Sequence, residues 1–301
     1  MYDLIIIGAG PAGITASVYA ARKKLNVLVI TKDIGGQAAW SGDIENYTGY
    51  QFITGPDLAA KFEEHLRKFD IQLQEGESVT DIQKVDNKIT VKTDKGAYEV
   101  KAAIIASGKS SRELNVPGEK EFKNRGVTYC ATCDGPLFAG KDVAVIGGGN
   151  SALDAAIQLM RIARKVYIIN ITSEFSGDAV MQESINNSKI ATAMHNTEIT
   201  AILGDKFVSG IKIKKEGKDE VLAVQGVFVE VGLIPNSGFA KIIEKNNYSE
   251  IKVNSRNETS IPGIFAAGDV TDVVEKQIII AAGEGAKAAL SASRYLVQHK
   301  F

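Results

Sequence analysis

The chain has 301 residues, about twice a common domain length of roughly 150, so length alone predicts two domains. A composition of 45% hydrophobic and 24% charged residues excludes a disordered or fibrous chain. The formal net charge of -1, with Lys and Arg dispersed, argues against nucleic acid as a partner. No apolar run reaches the roughly 18 residues of a membrane span, so we expect a cytoplasmic protein without a membrane segment.

The first elements in the chain predict a nucleotide-binding βαβ unit. Leu4 to Ile7 form a buried strand, a glycine-rich turn follows, a helix runs to about Arg22, and Asn26 to Ile30 form a second strand. Glycines at such spacings let the backbone turn tightly and approach a pyrophosphate, which the free N–H groups of the helix start can hold. The residues that fit this role are Gly8, Gly10 and Gly13.

Breaks in the pattern divide the chain into segments. A helix over 55–69 and a strand over 88–93 precede a first linker at Pro117-Gly118. A second break falls at Ile234-Pro-Asn-Ser237, after a strand over 226–231. The residues beyond it are too few for a third large domain, so we expect them to return to the first.

Between these two breaks the nucleotide-binding arrangement occurs again. Val143 to Ile146 predict a strand, a second glycine-rich turn follows, a helix runs to about Ala163, and Val166 to Ile169 form another strand. Ala152 stands where a third glycine is usual, a permitted variant because that position only sets the distance between helix and strand. The residues of this turn predicted to bind a cofactor are Gly147, Gly149, Asn150, Ser151 and Ala152.

The two cysteines, Cys130 and Cys133, are the only ones in the chain. Their spacing allows a short-loop disulfide and a reactive thiolate, which makes reversible redox chemistry feasible. Asp134 follows directly and is a candidate proton donor and acceptor for these thiols, with a plain turn residue as the alternative. A zinc site requires four ligands, and the three histidines of the chain are scattered, so we disfavour a metal.

These motifs together resemble the low-molecular-weight thioredoxin reductases and the reductase half of the alkyl hydroperoxide reductase flavoprotein, over essentially the whole chain. The resemblance implies an α/β fold with two Rossmann-like FAD/NAD(P)-binding domains, the second inserted in the first. We place the domains at 1–113 and 237–301 for the FAD-binding segments, and at 114–236 for a nicotinamide-type domain that carries the cysteines. The positions matched to cofactor-binding motifs in the first domain are Gly8, Gly10, Pro11, Ala12, Gly13, Gly35, Gly36, Gln37, Asn46, Ala106, Gly108, Gly268, Asp269, Lys276, Gln277 and Ile278.

The resemblance also implies roles for particular residues. Asp269 would bind the ribityl chain of FAD, and Gln37, Asn46 and Gln277 would lie near the flavin ring. Cys133 would lie nearer the flavin, Cys130 would attack the disulfide of the partner, and Asp134 would act as acid and base. We therefore predict a homodimeric, FAD-dependent enzyme that reduces a separate, thioredoxin-like protein.

One segment departs from the family pattern. NADPH-dependent members carry a His-Arg-Arg run and a further Arg after the second strand of the nicotinamide unit, whereas this chain has Asn170-Ile-Thr-Ser-Glu174-Phe-Ser176. Without a guanidinium group, burial of a 2′-phosphate is unfavourable, so we favour NADH or a non-nucleotide donor over NADPH. Asn170 or Glu174 would then face the ribose of NADH. Arg161, Arg164 and Lys165 precede the strand, and we attribute them to a basic helix end.

Three alternatives stay open at this point. Some relatives take electrons from reduced ferredoxin, which would leave the second unit as a scaffold, although its preserved glycine turn argues mildly against this. A thiol oxidase would run the same scaffold in reverse and return electrons from flavin to oxygen. A non-catalytic redox sensor would keep FAD and the disulfide without turnover.

Overall fold

The structure, a computed structural model, describes residues 1–41, 43–86 and 88–299, and the side chains of Trp40, Asp43 and Cys133 lie outside the described part. The chain forms two compact units, one of Met1–Ser110 with Ile234–Phe301 and one of Ser111–Leu233. The borders between the units, at 110/111 and 233/234, each lie three residues before the borders predicted at 113/114 and 236/237. Which cofactor each unit binds stays a prediction.

The helices are α1 Pro11–Arg22, α2 Gly55–Arg67, α3 Ala131–Asp134, α4 Asn150–Met160, α5 Ala179–Asn186 and α6 Ile278–Gln298. The strands are β1 Tyr2–Ala9, β2 Val27–Ile34, β3 Asp43–Ile44, β4 Ile53–Thr54, β5 Gln72–Glu75, β6 Val79–Val85, β7 Lys88–Thr93, β8 Ala97–Ile105, β9 Lys109–Ser111, β10 Val127–Thr128, β11 Asp142–Ile146, β12 Lys165–Ile169, β13 Ala191–Met194, β14 Thr197–Gly204, β15 Val208–Lys215, β16 Lys218–Leu222, β17 Gly226–Val229, β18 Leu233–Pro235 and β19 Ile264–Ala266. Two short 3-10 helices cover Gly36–Trp40 and Gly135–Phe138. None of the helices in the described ranges is both long and apolar enough to cross a membrane.

The first unit is built on a mixed sheet. Its described strands run in the order β5-β2-β1-β8-β7-β6, with β19 beside β8. β1 pairs in parallel with β2 and β8, whereas β6 and β7 are antiparallel additions. Leu4 to Ile6 and Ala102 to Ile105 are fully buried, as aliphatic runs are when both faces of a parallel sheet are covered.

The second unit contains a parallel sheet in the order β10-β17-β11-β12-β13 and an antiparallel sheet in the order β14-β15-β16. Its aliphatic core follows the same rule, with Val143 to Val145 and Val227 fully buried. The predicted α/β class with two Rossmann-like units, the second inserted in the first, is confirmed.

Several predicted elements differ from the structure at their ends. The strand over 88–93 agrees with β7, and the helix expected over 55–69 is α2, which ends at Arg67. The helix expected to about Ala163 ends at Met160 because the chain turns there, with the N–H groups of Ile162 and Ala163 both donating to Leu159 O. The strand expected over 226–231 ends at Val229.

Helices α1 and α6 of the first unit pack with very little space between their backbones. Ala12 and Ala16 of α1 and Ala288 and Ala292 of α6 are buried in the same core. A Cβ atom at Gly285 would lie 2.0 Å from Ala12 O, which no side chain tolerates without a shift of the helices. This close approach fixes α6 against the glycine-rich start of α1.

A pair of glycine substitutions in α6 tests that contact. Gly285→Ala is expected to destabilise the protein by roughly 1–3 kcal/mol because the new methyl group overpacks the contact with α1. Gly283→Ala is its control, since nothing lies within 4 Å of a Cβ there; it is expected to stabilise the helix by roughly 0.5–1 kcal/mol. Urea unfolding of both variants measures the two effects, and a neutral Gly285→Ala would refute the close approach.

Candidate functional site

The first glycine turn joins β1 to α1. Gly8 has a φ of +104°, and a Cβ atom there would lie 2.4 Å from Ala106 O. A Cβ atom at Gly13 would lie 1.9 Å from Gly8 O, so both positions require glycine for packing. At Gly10 the nearest atom to a Cβ is Gly35 O at 3.9 Å, so the backbone there faces open space. This arrangement suits the close approach of a ligand to the turn.

The start of α1 provides unpaired N–H groups. Gly10 is its N-cap with no side-chain cap, Pro11 opens the helix, and the first turn contains no acidic residue. Ala12 and Gly13 follow in the buried face of the helix. Gly35 and Gly36 lie against this turn, with a Cβ at Gly36 only 3.3 Å from Gly10 Cα. The result is an anion-binding helix terminus bordered by small residues.

The three residues predicted to lie near the flavin ring form hydrogen bonds with segments of the same unit that are distant in sequence. Gln37 Nε2 donates to Lys109 O at 3.1 Å, next to Gly108. Asn46 Nδ2 donates to Gln277 Oε1 at 3.0 Å. Gln277 is also the N-cap of α6, which begins at Ile278. The structure therefore brings the predicted residues of four separate motifs together in one unit.

Asp269 follows β19 and Gly268, whose φ is +76°. The pKa of Asp269 is raised above its ordinary value, because burial and the Glu250 carboxyl group raise it by more than the Lys276 and Lys109 ammonium groups lower it. Within the described ranges its carboxyl group accepts no hydrogen bond from the protein. A partly buried carboxylate without donors fits a hydroxyl-bearing ligand such as the ribityl chain of FAD.

The cysteine motif lies in the second unit at the start of α3. Cys130 is disulfide-bonded, and no described cysteine is free. The side chain of Cys133 lies outside the described residues. Thr128, at the end of β10, accepts a hydrogen bond from Cys130 N–H at 3.2 Å and donates its own hydroxyl proton to the Asp134 carboxyl group. Asp134 N–H also donates to Cys130 O at 3.2 Å. Thr128, which sequence reasoning missed, therefore holds the predicted acid-base residue beside the predicted nucleophile.

A polar chain links α3 to α4. Thr132 Oγ1 donates to Gln158 Oε1 at 2.8 Å, and Gln158 Nε2 donates to Asp154 Oδ2 at 2.7 Å. Sequence reasoning missed both helix residues, although their spacing of four on α4 is a signal for such a pair. Within the described ranges no group of three or more His, Cys, Asp or Glu side chains is placed to hold a metal ion.

The second glycine turn repeats the geometry of the first. Gly147 has a φ of +141°, and a Cβ there would lie 2.2 Å from Glu230 O and 3.0 Å from the Cβ of Ala152. Gly149 is the N-cap of α4 and carries no side-chain cap. The packing explains why alanine is accepted at 152 but glycine is needed at 147.

The segment after β12 folds onto this second turn. Ser176 N–H donates to Gly148 O at 2.8 Å, and Asp178 N–H donates to Asn150 Oδ1 at 2.7 Å. The buried Asn170 amide is used within the segment, where its Nδ2 donates to Thr172 Oγ1 and Glu174 O. The Asn170 amide is thus engaged within its own loop, and its contact with a ribose stays a prediction.

The basic residues around the start of β12 lie at the opposite end of the parallel strands from this turn and have partners there. Arg164 forms a two-point ion pair with Asp142, at 2.8 and 2.7 Å. Lys165 Nζ lies 4.8 Å from the centre of the Tyr167 ring. These contacts agree with the interpretation of both residues as local structure.

Glu230, directly after β17, is a partly buried acid that sequence reasoning missed. The pKa of Glu230 is raised to about 8, chiefly by burial and also by the neighbouring Asp154 carboxyl group, while a hydrogen bond with Ser151 partly opposes the rise. Its partners lie on a different element, far away in sequence, so no local pattern could reveal them. The second glycine turn is therefore bordered by a carboxyl group that is mostly protonated at neutral pH.

Glu230→Gln tests this assignment through stability. A carboxyl whose pKa is raised on folding stabilises the native state only while protonated, so the wild type loses stability between its ordinary pKa of 4.5 and about 8. Glutamine does not titrate, so the variant is expected to gain roughly 2 kcal/mol over the wild type at high pH and to converge with it in acid. Urea unfolding of wild type and variant, once in acid and once at high pH, measures this difference in stability, and Glu121→Gln at an exposed position is the control. A pH-independent difference would contradict the assignment.

The comparisons with known proteins agree with this geometry. The sequence model of the family described as pyridine nucleotide-disulphide oxidoreductase matches residues 2–285. The chain belongs to this family. Family membership confirms the class of flavin-dependent disulfide reductase expected from the motifs, and it implies FAD with a nicotinamide or related donor.

The oxidoreductase has relatives that are longer than itself. It is 41% identical over 302 residues to an alkyl hydroperoxide reductase component of Staphylococcus aureus strain MRSA252, covering 99% of this chain and 60% of that protein. It is also 41% identical over 302 residues to a protein named NADH dehydrogenase of Ferdinandcohnia aciditolerans, covering 99% of this chain and 58% of that one. The chain spans about three fifths of the length of these relatives.

Solved structures of similar length match the oxidoreductase along its whole chain. Thioredoxin reductase of Lactococcus lactis matches with a TM-score of 0.93 and 34% identity, covering 99% of this chain and 100% of that one. A ferredoxin-flavin thioredoxin reductase of Clostridium acetobutylicum matches with a TM-score of 0.55 and 32% identity, covering 99% of each chain. The resemblance to the low-molecular-weight thioredoxin reductases is confirmed.

Proposed function

We propose that this oxidoreductase uses FAD to reduce its Cys130–Cys133 disulfide and then reduces a thioredoxin-like protein, as a cytoplasmic homodimer. The observation that carries the proposal is the arrangement at α3, where a disulfide-bonded Cys130 shares Thr128 with the Asp134 carboxyl group. Acid, nucleophile and orienting hydroxyl thus occur within seven residues of chain. A purely structural disulfide has no need of the fixed carboxyl group.

The first unit fits FAD. The turn at Gly8, Gly10 and Gly13 leaves room and N–H groups for the pyrophosphate, and Asp269 offers an acceptor for the ribityl hydroxyls. By the family resemblance, Gln37 and its neighbours would then border the ring. When bound, FAD supplies two-electron redox chemistry.

The protein residues then carry the thiol chemistry. The Cys130 thiolate attacks the partner disulfide, forming a mixed disulfide and releasing one partner thiolate, which takes a proton. Cys133 attacks the Cys130 sulfur, so the second partner sulfur leaves as a thiol and the Cys130–Cys133 disulfide is formed again. The partner gains two electrons and two protons, and the cysteine pair loses the same. Asp134, oriented by Thr128, transfers the proton at the departing or attacking sulfur.

The donor we favour is NADH or a protein, in preference to NADPH. The segment 170–178 contains no Lys or Arg, and Arg164 and Lys165 are engaged elsewhere. A 2′-phosphate would therefore lack a guanidinium partner in this part of the chain.

Reduced ferredoxin is the second candidate donor. The Ser176 and Asp178 N–H groups donate to Gly148 O and Asn150 Oδ1, so segment 170–178 packs against the second glycine turn, and this close packing supports a unit that serves as scaffold. One similar solved structure is a ferredoxin-flavin thioredoxin reductase.

Anaerobic half-reactions test the proposal. NADH or reduced ferredoxin is expected to bleach the long-wavelength flavin band faster than NADPH, and oxidised thioredoxin is expected to restore it in the wild type. Cys130→Ser should bleach equally well but fail to reduce thioredoxin, because it lacks the attacking thiolate. Fastest bleaching by NADPH would refute the charge argument for the donor.

Two further outcomes of the same assay separate the rivals. Unchanged thioredoxin reduction by Cys130→Ser would contradict the role of the disulfide. Peroxide formation from dithiols in air, with no thioredoxin reduction, would indicate the thiol oxidase instead.

A further inference from the structure

Lys109 is a lysine with little exposure, directly after the predicted flavin motif at Ala106 and Gly108. Its side chain is 14% exposed, and Lys109 Nζ lies 2.9 Å from Glu250 Oε1, on a side chain that is also 14% exposed. Its carbonyl group accepts the hydrogen bond from Gln37. The backbone of Lys109 thus contacts a residue of the predicted flavin site, and its side chain contacts Glu250.

Glu250 joins Lys109 to a second lysine. Lys276 Nζ lies 3.2 Å from the same Glu250 Oε1 and donates to Thr271 O at 2.5 Å. Asn246 Nδ2 donates to the other carboxyl oxygen of Glu250 at 2.7 Å. Burial alone would raise the pKa of Glu250, but hydrogen bonds from Asn246, Lys109 and Lys276 outweigh it and lower the pKa to about 2. The cluster therefore contains two ammonium groups against one carboxylate.

This excess positive charge acts on Asp269. The charged groups that act on the Asp269 carboxyl within the described ranges are Lys276, Lys109 and Glu250. Both lysines oppose the effect of burial on the pKa of Asp269, and Glu250 adds to it. A carboxylate accepts hydrogen bonds at both oxygens, whereas the protonated form gives up part of that capacity.

We propose that Lys109 is a positioning residue for the flavin: together with Lys276, which shares its Glu250 partner, it favours the ionised form of Asp269, whose two oxygens accept hydrogen bonds from the ribityl hydroxyls. The inference rests on the proposed binding of FAD by the first unit. A role confined to the Lys109–Glu250 ion pair would make a different prediction, because loss of that pair would weaken the fold equally at every pH.

Lys109→Met tests the proposal by equilibrium dialysis of the full chain against FAD, from about pH 5.5 to about pH 9. Without the ammonium group Asp269 takes up a proton at a higher pH. FAD affinity of the variant is therefore expected to fall roughly ten- to hundredfold on the acid side and to recover as the pH rises. The wild type should show a weaker dependence over the same range.

The control is Lys88→Met, which removes the same charge from an exposed ion pair, with Lys88 Nζ 3.4 Å from Glu99 Oε2. It should bind FAD as the wild type does. Lys109→Gln, which keeps a donor for Glu250 but no charge, should reproduce the pH profile of Lys109→Met, so the test does not depend on one variant folding.

Two results would overturn the inference while leaving the proposed function intact. One is FAD binding by both Lys109 variants equal to that of Lys88→Met at every pH, and the other is a loss of affinity by the same factor throughout. Failure of the wild type itself to bind FAD would instead refute the proposed function.

Discussion

The close approach of backbone atoms at two glycine turns is the constraint on which the rest of the molecule depends. At Gly8 and Gly147 a single Cβ atom would collide with a carbonyl oxygen of a neighbouring strand or loop, at 2.4 and 2.2 Å. Each turn therefore holds the start of a helix against the carboxyl edge of a parallel sheet, where free N–H groups face a ligand. The close contact of α6 with α1 at Gly285 extends the same constraint through the first unit.

The two turns share their backbone geometry and differ in what surrounds them. In the unit of the first turn, Asp269 accepts no hydrogen bond from the described residues and two lysines supply positive charge, which fits a ligand with hydroxyl and phosphate groups. Around the second, hydrogen bonds from Ser176 and Asp178 lie on the turn. This contrast is the physical reason to treat FAD binding as the stronger proposal and the choice of electron donor as the more open property of this oxidoreductase.

Sequence patterns predicted the parts of the molecule that depend on local spacing. The glycine turns, the strand at 88–93 and the family follow from periodicity and short motifs, and all are found. Glu230 and Glu250 did not stand out because Ser151 and Lys109, their respective partners, are distant in sequence. Thr128 lies beside the cysteine motif and was missed because the sequence does not show that its hydroxyl group contacts both Cys130 N–H and the Asp134 carboxyl group. Helix α4 ends early for a related reason, since the turn at Leu159 is made by backbone hydrogen bonds that leave no side-chain signature. Asp154 and Gln158 were missed as well, although their spacing of four residues on a helix is a signal that the sequence contains.

The central claim is that one chain couples FAD to a redox-active disulfide. The most direct measurement is an anaerobic titration of the flavin-loaded protein with dithionite, in which the electrons taken up are counted against bound FAD. The account predicts two two-electron equivalents for the wild type, one for FAD and one for the cysteine pair, and a single equivalent for Cys130→Ser. A wild type that accepts only one equivalent per FAD would contradict the claim, because its disulfide would then be structural and outside the path of the electrons.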